Sequence, residues 1–170
     1  MSKLLWEKTR ELHHACEDHV VGAAMSLGTP PVQWYADWVY SLKVIHEFID
    51  TQMPECTKRA DRLALDLEQL VTANHIKAAH SYVELLKDRD DNYIQGVGYV
   101  LLGAHLMGGE IMRRRLINFP TNHLTWDDRK EALDVLMSLR DREESVDGAK
   151  SCFYALLSCM DEILIKATDK

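Results

Sequence analysis

The chain has 170 residues, of which 46% are hydrophobic and 28% are charged, and its formal net charge at pH 7 is −7. This size and composition are typical of a globular protein, so residues 1–170 are predicted to form a single domain with its own core. The acidic balance argues against general nucleic-acid binding.

The N-terminal residues do not have the pattern of a secretion signal, because charges occur within the first eight residues and no apolar run follows them. The cysteines have no C-x-x-C spacing, and all but one of them fall on apolar faces of predicted helices. They are Cys16, Cys56, Cys152 and Cys159. We therefore expect reduced thiols, a cytoplasmic location and no membrane partner.

Seven helices and no strand are predicted along the chain. Apolar residues recur at steps of three and four, whereas no stretch alternates at a period of two for long enough to form a strand. Pro54 and Pro120 end two of the helices, and residues 21–28, which contain two glycines, are predicted as a connection. The predicted helices cover about residues 2–20, 29–53, 61–72, 74–87, 91–117, 125–141 and 145–166. The fold class is therefore all-α.

The first predicted helix begins at a capping residue, Ser2, and has one apolar seam. The seam consists of Trp6, Thr9, His13, Cys16 and Val20. His13 therefore points toward the core, where it would be either a hydrogen-bonded core residue or a metal ligand. Glu17, one turn later, would either orient that imidazole or be a solvated carboxylate.

The most unusual segment is the middle of the fifth predicted helix, residues 96–112. It contains five of the eight glycines of the chain, namely Gly96, Gly98, Gly103, Gly108 and Gly109. A glycine inside a helix costs about 1 kcal/mol relative to alanine. The missing side chains would be needed where a second helix packs closely, or where a flat ligand lies on the backbone. The residues alone leave both explanations open.

Polar residues within and after this segment also have two interpretations. His105 is either satisfied within the core or in contact with a ligand. Arg113, Arg114 and Arg115 follow, and such a run is either a solvated helix end favoured by the helix dipole or a docking patch for an acidic partner. Thr125 then begins a capping-box pattern that predicts the start of the next helix.

Two segments of the chain together resemble the haem oxygenases. Residues 5–13, followed by Glu17, are similar to the first helix of that family, in which a threonine precedes the haem-ligating histidine by four residues. Residues 99–109 are similar to the family's glycine-rich distal helix. Residues 149–153 give a third, weaker match to the start of its last helix. The order and spacing of these segments fit almost the whole chain.

The resemblance implies an all-α fold with haem between the first helix and the glycine-rich helix. It implies haem oxygenase activity, in which haem is both cofactor and substrate and is opened to biliverdin with release of iron and carbon monoxide. Oxygen and electrons would be required, the latter from a ferredoxin, a flavodoxin or a reductase that docks at residues 113–115. The absence of a C-terminal membrane anchor fits a soluble microbial type.

The resemblance also assigns roles to single residues. It places the iron ligand at His13, with Glu17 beside it. It places the paired glycines that lie over the haem at Gly108 and Gly109, and a pocket-lining phenylalanine at Phe153.

Basic and phenolic groups hold the haem propionates in this family. By position, Arg10 and Tyr99 match such groups, and Arg129 matches less closely, because the alignment there needs gaps.

The glycine-rich helix departs from the family pattern at one position. Many members have Gly-Asp before the paired glycines, and that aspartate orders the distal water. Aligned on Gly108 and Gly109, the corresponding residues are Ala104 and His105, whereas aligned on Gly103 the aspartate position is Ala104. We therefore expect His105, Gly108 and Gly109 to take part in catalysis and Ala104 to contact haem.

Two other classes of function remain open, and a third, a plain helical interaction protein, would leave the five glycines unexplained. A haem-binding or haem-buffering protein without turnover would result if His105 ligated the iron. Another enzyme on the same fold, of thiaminase-like or di-iron type, would need an active-site cysteine or several inward carboxylates. Glu17 and Glu110 alone are too few for a di-iron centre.

Overall fold

The computed structural model describes residues 3–169, and within them the chain forms nine α-helical segments and no strand. These are α1 (Leu4–Asp18), α2 (Val20–Leu27), α3 (Val32–Ile49), α4 (Ala60–Glu68), α5 (Lys77–Leu86), α6 (Asp91–Gly103), α7 (Gly109–Arg115), α8 (Arg129–Leu139) and α9 (Val146–Thr168). The all-α prediction is confirmed. Ser2, the predicted first cap, lies outside the described residues. Over the described part of the chain, no helix is both long enough and apolar enough to cross a bilayer.

The prediction of a connection at residues 21–28 is wrong, because most of this segment is helix α2. The Nδ1 atom of His19 accepts a hydrogen bond from the backbone N–H of Val21 at 3.1 Å and thereby caps the new helix. Gly28 ends it with φ 78°, a conformation that favours glycine. A Cβ atom there would also lie 2.4 Å from the carbonyl oxygen of Arg115, so α2 and α7 end against each other.

Carboxylates fix the start of two later helices. Asp128, rather than Thr125, caps α8, and its Oδ1 accepts a hydrogen bond from the backbone N–H of Glu131 at 2.9 Å. Glu162 of α9 accepts hydrogen bonds from two backbone N–H groups at the start of α5, at 2.7 and 2.9 Å. Both helices therefore begin a few residues later than predicted.

The longest helix, α9, is the centre of the fold and packs against α1, α2, α3, α5 and α6. Its crossing with α6 is close enough to exclude side chains on both helices. A Cβ atom at Gly96 would lie 2.1 Å from the Ser145 carbonyl oxygen, and one at Gly148 would lie 1.9 Å from the Tyr93 carbonyl oxygen. The side of α6 that carries Gly96 is therefore fixed against α9.

Candidate functional site

The glycines of the fifth predicted helix serve different purposes. An added Cβ at Gly96 would lie 2.1 Å from a carbonyl oxygen just before α9. An added Cβ at Gly98 would lie 2.5 Å from a methionine side chain between α3 and α4. At Gly109 it would lie 2.9 Å from the side chain of Leu124. At Gly108, by contrast, no atom other than those of its chain neighbours and the surrounding helix backbone lies within 4 Å of the Cβ position. Three glycines therefore permit close packing, and Gly108 adjoins open space.

Between α6 and α7 the helix widens into one π turn, Ala104–Gly108. A π turn accommodates one residue more than an α turn, and such turns are frequent at functional sites. The turn accommodates its additional residue, so α6 and α7 on either side of it each keep their own α-helical phase.

One side of the π turn and of α7 is exposed and apolar. Ala104 and Gly108 are exposed, and the side chains of Met107 and Ile111 are 54% and 55% exposed. Their spacing of three and four residues places them on one face. Contiguous exposed apolar surface of this kind is typical of a binding site. We call these four residues the open face.

His13 lies at the edge of the core rather than inside it, with 39% of its side chain exposed. Its ring makes edge-on contacts with Phe153 and Trp6, at 5.9 and 5.1 Å between ring centroids. Cys16 on the same predicted seam is buried, whereas Trp6 and Val20 are 36% and 58% exposed. The structure therefore brings His13 and Phe153 together, with the imidazole partly accessible from solvent.

A carboxylate lies beside this imidazole, as predicted from the spacing of His13 and Glu17. The His13 Nδ1 atom is 2.7 Å from Glu17 Oε1. The two groups are not aligned for a hydrogen bond, and Nδ1 is shielded from solvent without another hydrogen-bond partner. His14, which was not predicted as a site residue, places its own Nδ1 3.8 Å from the same Glu17 oxygen.

The residues expected to hold haem propionates occupy three different settings. Arg10 is exposed on α1. Tyr99 is partly buried, and burial raises the pKa of its phenol. Arg129 donates a hydrogen bond from Nη2 to the Leu106 carbonyl oxygen at 3.4 Å. Arg129 thus bonds to the backbone of the π turn.

His105 is 3% exposed and lies outside the open face. Its Nε2 atom is 2.9 Å from Nε2 of His46, and its ring packs edge-on against His123 at 5.6 Å between centroids. Burial, and next the nearby His46, lower the pKa of His105 well below its usual value, so the imidazole is neutral. This position does not match the predicted hydrogen bond from His105 to a ligand.

A buried polar network behind the π turn was missed by sequence reasoning. The His46 Nδ1 atom is 3.0 Å from Asp50 Oδ1, and the His123 Nδ1 atom is 2.5 Å from Asp66 Oδ2. His46 and Asp50 are four residues apart near the apolar seam of α3, a signal that was present in the sequence. His123 and Asp66 are 57 residues apart, so no local pattern joins them. The network holds His105, and with it the π turn, against α3 and the α7–α8 connection.

The three consecutive arginines are not equivalent. Arg113 and Arg114 are exposed, and their guanidinium groups lie 3.5 and 3.4 Å from Glu110 Oε1. Arg115 donates a hydrogen bond from Nη1 to the Ser26 carbonyl oxygen at 2.8 Å and so ties α7 to α2. A docking patch would therefore consist of Arg113 and Arg114.

A separate groove of about 670 Å³ lies beside α4 and the start of α8. Charged residues dominate its lining, among them Asp50, Arg59, Arg62, Asp127 and Glu131. None of the predicted site residues lines it. Pockets for large apolar ligands are lined mainly by apolar side chains, so the groove is not a candidate for the predicted ligand.

Comparisons with known proteins place the fold. No protein-family model matches the sequence, and no curated protein sequence matches it. The structure is similar to haem oxygenase-1 from the cyanobacterium Synechocystis sp. PCC6803, solved in complex with haem, with a TM-score of 0.78 at 19% identity. That alignment covers 97% of this chain and 94% of the other.

The structure is also similar to haem oxygenase from Leptospira interrogans, with a TM-score of 0.77 at 18% identity. This second alignment covers 94% of this chain and 97% of the other. At such identities the similarity concerns the fold. The chain therefore has the all-α fold of the haem oxygenases.

Proposed function

We propose that this protein binds haem between α1 and the open face, and cleaves it with oxygen and electrons to biliverdin, iron and carbon monoxide. The observation that carries the proposal is Gly108, which lies on an exposed apolar face where no other part of the protein comes within 4 Å of its Cβ position. The half-exposed His13 on α1 supplies the second requirement, an accessible imidazole. The fold similarity to two haem oxygenases, one of them in complex with haem, supports the same function.

In this proposal His13 is the iron ligand. A neutral imidazole has one N–H group and one nitrogen lone pair. The Nδ1 atom of His13 lies beside the negative charge of Glu17, which favours a proton on Nδ1 and leaves the lone pair of Nε2 for the iron. Phe153 packs edge-on against the ring and restricts its rotation.

The open face supplies the opposite wall of the site. Gly108 and Ala104 allow the flat ring to approach the helix backbone, whereas Met107 and Ile111 exclude water from it. The bound haem iron supplies the oxygen chemistry. His105 acts as a positioning residue, because its bond to His46 holds the π turn in place.

Basic and phenolic groups complete the proposed site. Arg10 and Tyr99 are proposed to bind the haem propionates, and Arg129 is proposed to support the π turn through the Leu106 carbonyl group. The exposed cations of α7 are proposed to dock an acidic ferredoxin or flavodoxin. Complementary charge of this kind chiefly increases the rate of association.

The other classes of function find no support in the described residues. His105 bonds to His46 and is not presented to a ligand on the open face. Burial raises the pKa of each of the four cysteine thiols, to about 12 for Cys16 and for Cys159, which makes them poor nucleophiles. The buried carboxylates already accept hydrogen bonds from backbone N–H groups; they are Asp37, Asp50 and Asp66.

The proposal is tested by titrating the purified protein with hemin and then adding a reductant under air. The expected result is a Soret band that saturates at one haem per chain, followed by the absorption of biliverdin. A titration without a saturable Soret band would show that the binding assignment is wrong. Saturable binding without biliverdin would overturn the cleavage step and leave a haem-binding protein.

A further inference from the structure

The surface of α1 around His13 carries a second imidazole. His14 follows His13 directly, and Glu17 lies four residues after one and three residues after the other, so all three share one side of the helix. Within residues 3–169, this is the one group of at least three histidine, cysteine or acidic side chains whose ligand atoms all lie within 4.8 Å of one another.

The geometry of this group is close to that of a metal site. The Glu17 Oε1 atom lies 2.7 Å from His13 Nδ1 and 3.8 Å from His14 Nδ1. Bonds of about 2.0–2.2 Å to one tetrahedral ion would place such ligand atoms roughly 3.3 Å apart. The side chains of His14 and Glu17 are 58% and 52% exposed, so small rotations suffice and an ion can enter from solvent.

One atom of the group makes no hydrogen bond in the structure. The His13 Nδ1 atom is shielded from solvent and makes no hydrogen bond, although the Glu17 carboxylate is adjacent. A buried polar atom without a hydrogen bond is uncommon in proteins and calls for a ligand or another explanation. An ion held between Nδ1 of His13, Glu17 and His14 would satisfy it.

We propose that His13, His14 and Glu17 bind a divalent first-row transition-metal ion when haem is absent, and that this ion and haem exclude each other. Two imidazoles and one carboxylate suit Zn²⁺, Co²⁺ or Fe²⁺, whereas Ca²⁺ and Mg²⁺ prefer oxygen ligands. The exclusion rests on the proposed function, because it requires that His13 also be the haem ligand.

The exclusion follows from the electronic structure of imidazole. A neutral ring has a single nitrogen lone pair, so His13 ligates either the ion through Nδ1 or the haem iron through Nε2. An ion at Nδ1 also takes the Glu17 carboxylate, which otherwise stabilises the Nδ1 proton while Nε2 ligates iron. The ion would therefore bind only to the haem-free form of the protein, and bound ion would hinder the binding of haem.

The site is tested with Zn²⁺ and tag-free, haem-free protein, in competition with a chromophoric chelator. His14→Ala and Glu17→Gln are expected to weaken zinc binding at least about tenfold. Two matched controls, Glu11→Gln for an exposed carboxylate on the same helix and His75→Ala for an exposed histidine elsewhere, should bind zinc as the wild type does. Circular dichroism checks that each variant is folded. Wild-type zinc affinity in His14→Ala would overturn the metal site.

The exclusion is tested by hemin titration with and without one equivalent of zinc. Zinc should raise the apparent hemin Kd of the wild type at least about tenfold and that of His14→Ala less than about twofold. Unchanged hemin affinity in zinc-loaded wild type would overturn the exclusion. If the protein bound zinc through these residues but did not bind hemin, the proposed function would be wrong. The metal site would still be tested by the zinc titration alone.

Discussion

Gly108 and Gly96 belong to the same glycine-rich segment, but only Gly96 has protein atoms where a side chain would begin. Gly108→Leu is therefore expected to obstruct the haem site and to reduce hemin affinity at least about tenfold. Its free energy of unfolding should stay within about 1 kcal/mol of the wild type, because leucine favours a helix more than glycine does. Hemin titration and urea unfolding of the same preparation measure the two effects.

The matched control is Gly96→Ala, whose Cβ atom would lie 2.1 Å from the Ser145 carbonyl oxygen. This change should lower the free energy of unfolding by roughly 1–3 kcal/mol, since it forces α6 away from α9. If Gly108→Leu instead destabilised the fold and left hemin affinity unaltered, the open face would be a packing surface and the haem assignment would be wrong.

The buried histidines behind the π turn make stability depend on pH. Burial is the main cause that lowers the pKa of His105 and of His123 below the unfolded value of about 6.5. Below that pH the unfolded chain binds protons that the folded chain does not. The free energy of unfolding should therefore fall as pH decreases below about 6.5, by up to about 1.4 kcal/mol per pH unit for each group.

His105→Gln keeps a donor for His46 but removes one titrating group. Urea unfolding at pH 7.5, 6.5 and 5.5 should give a shallower pH dependence for this variant than for the wild type. Identical slopes would show that His105 does not titrate on unfolding in this range.

At the scale of the elements, the π turn at Ala104–Gly108 is the feature that shapes the site. One residue more than an α turn is present there, so deletion of the exposed Met107 should close the turn into a continuous α-helix. The variant should keep its helical circular dichroism and unfold cooperatively, within about 2 kcal/mol of the wild type. Thermal and urea unfolding provide the measurement.

Deletion of Tyr154, an exposed residue inside the regular helix α9, is the control. It should unfold the protein, because every following residue of the central helix would turn by about 100° away from its packing partners. Similar loss of structure in both deletions would mean that the π turn does not accommodate an additional residue.

At the scale of the whole molecule, the cations of α7 stand out against a net charge of −7. Reversal of Arg113 and Arg114 to glutamate should slow reduction of bound haem by an acidic ferredoxin about tenfold or more at low ionic strength, and much less at high ionic strength. Reduction by dithionite should not change. Stopped-flow absorption of the haem follows both reactions.

The control is reversal of two exposed lysines elsewhere, Lys87 just after α5 and Lys130 on α8, which alters the net charge by the same amount. Equal slowing in the control, or equal slowing with dithionite, would remove the docking role from α7.

Much of this fold was predictable from the sequence, because each helix buries one face and its apolar residues therefore recur every three to four positions. The sequence pattern does not predict helix α2, because glycines are typical of connections, whereas in the structure Gly22 lets the helix approach the Cys16 carbonyl oxygen. The role of each glycine could not be predicted, because it depends on which part of the chain packs against it. Gly96, for example, packs against a segment about fifty residues later in the chain.

The candidate site was predictable where its residues are near in sequence. His13 and Glu17 are one turn apart, and the structure places them side by side. The position of His105 depends on its contact with His46, which is 59 residues away, so it could be identified only from the tertiary structure. The π turn likewise was not part of the continuous helix predicted over residues 91–117.

The central claim, that His13 holds haem against the open face, is tested most directly by the haem spectrum of His13→Ala. The wild type should show the ferric and ferrous spectra of histidine-ligated haem, and the variant should lose them. Added imidazole should restore them, because it can occupy the space of the missing side chain. His75→Ala, a change at an exposed histidine elsewhere, should match the wild type. An unchanged histidine-ligated spectrum in His13→Ala would contradict the account.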